Sequence, residues 1–467
     1  MSFLSDAELS ASRRFLISGA VWFCVGTLWG LVGAISLFAP DFFAGIPWLE
    51  FGRIRPAHTN TVLFGFIGSL LIGGILYIIP VMLRTRLQAE RAANAAMWLW
   101  NAALIGVGTT LPAGQTQGRE YAELIFPVKC LVVLVFLLLS YCLLLTIARR
   151  RENLLYVSVW YGTGAVVWLA LLYPLGNVMW HPTTGSVGGI VDAIWLWWYG
   201  HNIFGLLVTP LAVAVAYYVV PRVAGRPLYS HTLSLIGFWT LLALYTHIGT
   251  HHLIQAPVPT WLKTVSIIDS IAMIVPVATV LVNLWMTMRG SLGNFATNVP
   301  GKMVFVGSVF YLITCVQGPM QSLPSVQRFT HFNNWVIGHA HVALVGFGGL
   351  TALGALWYVL PLVSGRKVYR MGLVALQYWL VLIGVAGFFI VLTVAGLIQG
   401  QGWLDGETVY RVLPSIAPYM GARALFGVLI VGAALIGLYN VIMTLTRGEP
   451  LEAEAPDSGD GAGRVTA

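Results

Sequence analysis

The chain has 467 residues, of which 58% are hydrophobic and 9% charged, against about 25% charged in ordinary soluble domains, and this excludes a soluble globule. The formal net charge of +8 would suit a nucleic-acid partner if it were concentrated, but the basic residues are scattered through short loops, which argues against one. The four cysteines, Cys24, Cys130, Cys142 and Cys315, fall in or beside apolar runs with no Cys-x-x-Cys spacing, so a disulfide framework, structural zinc and covalent c-type haem are excluded too.

The first apolar run, residues 15 to 38, follows Arg13 and Arg14. It is too long for the core of a secretory signal and lacks a small-residue cleavage site, so it is expected to be retained as a first span. Further runs follow at 59 to 83, 95 to 112, 127 to 148, 154 to 176, 190 to 220, 231 to 255, 264 to 288, 303 to 323, 335 to 361, 371 to 399 and 420 to 446. Backbone polar groups cannot go unpaired in hydrocarbon, so each run should be a helix. The expected fold is an all-α integral membrane protein in the lipid bilayer, with twelve transmembrane helices in one domain over residues 1–448. Residues 449–467 are Gly, Ala and acidic residues with few large apolar side chains, which predicts a disordered cytoplasmic tail. With both termini cytoplasmic, the inner loops carry 17 of the 25 basic residues, the bias that the positive-inside rule requires.

Ionisable residues inside spans are costly and usually functional. Of the ten histidines, His58, His201, His247, His251, His252, His339 and His341 fall in or at the mouths of these helices, and all but His247 are placed in the outer half of the membrane. His339 and His341 are two residues apart, which at about 100° per residue points them to nearly opposite faces of one helix. They should serve two sites. His58 pairs with one of them as axial ligands of a low-spin haem, and the other holds a second haem with an open position. His251 and His252 are adjacent, and His201 lies about 16 Å inside its helix. Three neutral imidazoles from neighbouring helices suit copper, although zinc and iron also accept imidazole. The bland alternative for any one of these is a histidine bonded to a carbonyl of the next helix. Arg53 and Arg55 beside His58 suit haem propionates. Glu120 and Glu123 read by themselves as a solvated charge cluster.

Five motifs, "FGRIRPAHTN", "REYAEL", "WWYGHN", "YTHIGTHHL" and "QGPM" leading to "NWVIGHAH", make the chain similar to the catalytic subunit of the cbb3-type cytochrome c oxidases, the C family of the haem–copper oxygen reductases. The resemblance implies the haem–copper oxidase subunit I fold in a bacterial cytoplasmic membrane, reducing O2 to water. It implies that His58 and His341 ligate a low-spin haem b, His339 a high-spin haem b, and His201, His251 and His252 a copper ion. Tyr245 takes the position of a tyrosine covalently linked to a copper-ligating histidine, here His201; without that context it would read as a buried tyrosine with a satisfied hydroxyl. Glu120 and Glu123 match acidic positions near a calcium ion and haem propionates. Electrons are expected from membrane-anchored c-type cytochrome subunits, and protons from the cytoplasm past Tyr229, Ser230, Asn283, Tyr311 and Thr314.

The chain departs from the family at Gln317, where glutamate is usual, at His231 and His247, where tyrosine and tryptophan are usual, and at Asn334 and Ile125, which replace acids. An amide cannot ionise, so proton delivery is expected to be rerouted through His231 and His247, with Gln317 as a hydrogen-bonding spacer. Two rivals remain. A nitric oxide reductase of the same superfamily would place an acid near the non-haem metal, and none lies one turn from His201. A haem-carrying subunit without turnover would be expected to lose the open-site ligands first, and all are present.

Overall fold

The computed structural model describes residues 4–183 and 186–451. Its twelve long helical stretches are α1 (Ser10–Phe38), α2 (Phe51–Met82), α3 (Glu90–Thr110), α4 (Phe126–Ala148), α5 (Val157–Gly176), α6 (Ile190–Ala224), α7 (His231–Tyr245), α8 (Thr260–Met288), α9 (Val299–Ser322), α10 (Asn334–Ser364), α11 (Met371–Leu404) and α12 (Val409–Arg447). Among the described residues ten of these, all but α3 and α7, are long and apolar enough to cross a membrane. The chain is thus a multi-pass membrane protein. The α3 helix carries Asn94 and Asn101 among small residues, which lowers its hydropathy. The α7 helix stops after 15 residues, short of the roughly 20 that a full span needs.

That early stop differs from the expected helix over 231 to 255, and the reason lies in the chain after Tyr245. Ile248–Leu253 winds into a tight 3-10 turn, which carries His251 and His252. Hydropathy cannot distinguish such a turn from one more helical turn. The opposite difference occurs at α2, which begins at Phe51 rather than 59. Arg53 and Arg55 dilute the apolar signal of its first turns, so His58 lies two turns inside the helix and not at its mouth.

Three helices form the centre. The most apolar windows of α2, α6 and α10 are 94, 94 and 89% buried, against 39 to 61% for the other seven spans, as expected of helices that are apolar all round. Each contains a π-helical segment: Thr61–Gly68 in α2, Phe204–Val208 in α6 and Val342–Gly349 in α10. Such segments are rare and concentrate at functional sites. Here each begins within three residues after a histidine, namely His58, His201 and His341.

At one end of the bundle, the segment joining α3 to α4 is pinned from inside. Arg119, almost fully buried, pairs with Asp192 at 3.1 Å and donates to the carbonyl of Gly176 at 3.1 Å, and the buried Lys129 donates to the side-chain carbonyl of Gln117. At the other end, the Lys367 amide donates to the Glu449 carbonyl at 2.8 Å and Leu451 to Gly365 at 2.9 Å. The first residues of the expected tail therefore pair with the loop between α10 and α11, and residues 452–467 lie outside the described residues.

Candidate metal centre

One cavity of about 680 Å³ reaches between α2, α6 and α10 and is lined by His58, His201, His251, His252, His339 and His341. All six histidines singled out in the sequence therefore open onto a single space. They divide into three groups.

His58 and His341 face each other with ring centroids 6.4 Å apart and planes 17° from parallel. The gap admits one metal atom with an imidazole at about 2 Å on each side. Each ring is held by its far nitrogen: Nδ1 of His58 donates to the carbonyl of Gly26 at 2.8 Å, and Nδ1 of His341 to that of Ile337 at 2.8 Å. This fixes the tautomer and leaves each Nε2 lone pair directed at the gap. The His58 ring lies so close to α1 that a Cβ at Gly30 would come within 2.6 Å of it; only glycine fits there.

His201, His251 and His252 bring their ligand nitrogens within 4.8 Å of one another, and no other group of metal-binding side chains is this compact among the described residues. Nδ1 of His251 donates to the Ser270 hydroxyl at 2.8 Å, which itself donates to the Ser266 carbonyl at 2.5 Å. The His252 ring stacks on Trp197 with centroids 4.0 Å apart. Nδ1 of His201 is buried with no hydrogen-bond partner, an orphaned ring nitrogen of the kind an ion satisfies. The Tyr245 ring lies 4.7 Å from that of His201. It occupies the space above Gly205, one turn after His201, where a Cβ would collide at 1.8 Å.

His339 takes the third position. On the opposite face of α10 from His341, it directs Nδ1 at Oε1 of Gln317 in α9, 3.2 Å away, and it lines the same cavity as His201, His251 and His252.

The remaining sequence candidates are spread more widely. Arg55 and Glu120 line the cavity, and Arg55 bonds Glu120 at 3.1 Å and approaches Glu123 at 3.9 Å. Arg53 turns away to Glu50 and the Pro112 carbonyl. Glu123 is buried and accepts from Asn60 at 3.2 Å; burial pushes its carboxyl above the usual range despite backbone donors, Asn60 and the Arg55 charge. Its neighbour Tyr121 is pushed up to about 12, first by burial and then by Glu120.

Toward the far end, Tyr311 and Thr314 line the cavity. Asn283 clamps Ser230, accepting from its amide at 2.9 Å and donating to its carbonyl at 2.7 Å. Tyr229 and His231 are exposed. His247 is exposed and pairs with Asp269 at 3.2 Å, so the structure does not bring it to His231 or Gln317. Sequence reading missed Ser270, Trp197 and Arg423. Of these, Arg423, a single charge within the apolar middle of α12, was the one a sequence signal could have found.

A buried-histidine cavity inside a polytopic helical bundle defines a haem–copper oxidase of the membrane, and the comparisons with known proteins agree. Residues 10–429 match the family described as Cytochrome C and Quinol oxidase polypeptide I. The chain is 31% identical to the cbb3-type cytochrome c oxidase subunit CcoN1 of Stutzerimonas stutzeri over 95% of this chain and 96% of that protein. It is 33% identical to a cytochrome c oxidase subunit 1 homolog of Agrobacterium tumefaciens, over 91 and 81% respectively. A solved heme-copper terminal oxidase dimer has the same fold, with a TM-score of 0.79 at 16% identity over 94% of this chain and 85% of that one. The chain belongs to the Cytochrome C and Quinol oxidase polypeptide I family, as a cbb3-type member, and is a membrane oxidoreductase whose family implies haems and copper.

Proposed function

We propose that this chain is the catalytic subunit of a terminal oxidase in a bacterial cytoplasmic membrane, with both termini on the cytoplasmic side, reducing O2 to water with electrons from membrane-anchored c-type cytochrome subunits. The observation that carries this reading is the placement of Tyr245 against His201 in the trio, with His339 within reach in the same cavity. In this reading His58 and His341 hold a low-spin haem b, His339 a high-spin haem b, and His201, His251 and His252 a copper ion. Haem iron and copper supply oxygen binding and electron transfer.

The protein's own residues do the rest. The carbonyls of Gly26 and Ile337, the Gln317 amide and the Ser270 hydroxyl orient imidazoles so that each presents a lone pair. Phe66, Val62, Leu344 and Ile430 line the cavity and keep bulk water from the charges that develop there. Reduction of O2 to two waters consumes four electrons and four protons. The Tyr245 hydroxyl can give up one of each and is rebuilt by the next electron and proton.

A line of polar side chains offers the proton route. His231 and Ser230 stand at the entrance, Asn283 reaches the Tyr217 hydroxyl at 3.5 Å, and the Tyr217 and Tyr161 rings are 5.9 Å apart. Tyr311 lines the same cavity as Tyr245. We leave calcium out of this proposal, because Glu120 and Glu123 share Arg55 as a counter-charge, whereas calcium takes six to eight oxygen ligands.

The chain is also 25% identical to a nitric oxide reductase chain of Stutzerimonas stutzeri. Among the described residues, the only carboxylate lining the cavity is Glu120, held by Arg55. The trio thus has imidazoles and no acid, which favours copper and O2. Metal and haem analysis of the purified complex, alongside O2 and NO turnover, tests the proposal. Two b-type haems and one copper per chain with oxygen turnover are expected, and non-haem iron without copper would reject it.

A further inference from the structure

His247 faces away from the central cavity. Its Nδ1 donates to Oδ2 of Asp269 in α8 at 3.2 Å, and its side chain is 59% exposed against 18% for the carboxylate. Three contacts set the register of α7 against α8. The amide of Tyr229 donates to the Thr287 hydroxyl at 3.0 Å, a Cβ at Gly237 would come within 2.9 Å of the Thr279 hydroxyl, and His247 meets Asp269. Each step up α7 is matched by an equal step back along α8, so the two helices run antiparallel in close contact with a crease between them.

Asp269 stands 18 residues from Thr287 at the inner end of α8 and 8 from Trp261 at the outer end, about 27 Å and about 12 Å along the axis. The hydrocarbon is about 30 Å thick, and Trp261, itself exposed, marks the outer interface. The pair therefore lies inside the hydrocarbon, in its outer part. The surface around it is apolar. Ile236 and Trp239 of α7 and Val265, Ile268, Ile271 and Val275 of α8 are all exposed, at the spacing of three or four that makes one stripe on each helix.

Acyl chains suit those stripes but offer nothing to the pair. The ring and the carboxylate each hold one more polar atom than the bond between them uses, and a polar group left unbonded in hydrocarbon is costly. What covers the crease is thus apolar along its length and polar at one height. A transmembrane helix carrying a single hydrogen-bonding side chain has that form, and such side chains join helices in membranes. The family of this chain implies further subunits. We propose that the crease between α7 and α8 seats a transmembrane helix of a partner subunit, which presents a hydroxyl or amide side chain to the His247–Asp269 pair. The inference uses none of the haem and copper assignments, and it stands or falls apart from them.

The test places a photoreactive residue at Ile268 in the complete complex and identifies its adducts by mass spectrometry. A peptide from a transmembrane helix of a partner subunit is expected. The yield of that adduct in detergent-diluted complex should fall about threefold or more in His247→Leu/Asp269→Leu, the change expected for one interhelical hydrogen bond. Should the double variant fail to accumulate, the wild-type adduct still decides: a cross-linked helix with a hydroxyl or amide side chain at the height of the pair supports the proposal, and a wholly apolar one overturns it. Adducts confined to phospholipid, to a quinone or to a second copy of this chain overturn it, as does a partner adduct whose yield is unchanged in the double variant.

Discussion

Oε1 of Gln317 accepts the Nδ1 proton of His339 across 3.2 Å, joining α9 to α10 at the ligand proposed for the high-spin haem. In the sequence Gln317 reads as a hydrogen-bonding spacer beside a rerouted proton path; in the fold its hydrogen bond goes to an imidazole, which it orients. A neutral amide draws the ring proton less strongly than a carboxylate does, so His339 remains a weaker donor to its metal. Gln317→Glu should raise the iron–histidine stretching frequency seen by resonance Raman and lower the midpoint of the high-spin haem. Gln317→Ala leaves a buried N–H unpartnered, a loss of about 1–3 kcal/mol, and should weaken haem retention. An unaltered frequency in the glutamate variant would count against the role.

The division of histidines between the faces of α10 predicts separable losses. His58→Ala or His341→Ala should abolish the low-spin haem spectrum and leave some high-spin haem. His339→Ala should do the reverse, removing the carbon monoxide-reactive haem. A carbon monoxide-reactive haem that survives in His339→Ala would show the assignment to be wrong.

Tyr245 lies beside His201, but the trio is assembled by α6, the 3-10 turn and Ser270. Tyr245→Phe should therefore retain both haems and copper yet lower oxygen turnover by more than about tenfold, at least about 1.4 kcal/mol of barrier. Gly205→Ala tests the same contact sterically, because its Cβ would lie 1.8 Å from the Tyr245 ring. It too should lower turnover. Full oxygen activity in Tyr245→Phe would remove the main argument for O2 over NO.

Much of the frame was legible in the sequence because the bilayer permits few alternatives. Each apolar run falls on a helical stretch, ten of them long and apolar enough to cross a membrane among the described residues, and the six histidines meet in one cavity. What escaped were the departures from regular helix. The 3-10 turn after Tyr245 and the three π segments are local changes of backbone hydrogen bonding with no hydropathy signature. Arg53 and Arg55 looked alike in "FGRIRPAH", yet only Arg55 lines the cavity, because the two point to different sides of α2. Arg119 and Lys129 are buried with no sign of it in the sequence, since what satisfies them is a fold contact: Asp192, from the start of α6, for Arg119 and Gln117, from the preceding loop, for Lys129.

Chelation offers a separate check on the acidic pair. If Arg55 is the counter-charge of Glu120 and Glu123, treating the purified complex with a calcium chelator should leave haem spectra and turnover unchanged, whereas Arg55→Gln should perturb both. Loss of activity on chelation, restored by added calcium, would return the ion to the site.

The proton route gives the last test, and the geometry separates its candidates. Asn283 does two things at once, clamping the Ser230 backbone and touching the Tyr217 hydroxyl at 3.5 Å, so its replacement would mix a loop defect with a transport defect. Tyr217→Phe removes only the hydroxyl from a fully buried ring and leaves the clamp in place. It should slow turnover with unchanged haem and copper content, and it should enlarge the solvent deuterium isotope effect because proton delivery becomes limiting. His231→Ala, at the exposed entrance, should slow turnover with unchanged haem content, since an imidazole can pass a proton inward and a methyl group cannot. His247→Ala should change neither rate nor isotope effect, because its ring faces outward onto Asp269. Full turnover in Tyr217→Phe with a normal isotope effect would reject this route and direct the search to water reaching Tyr245 past Thr314, whose buried hydroxyl has no protein partner.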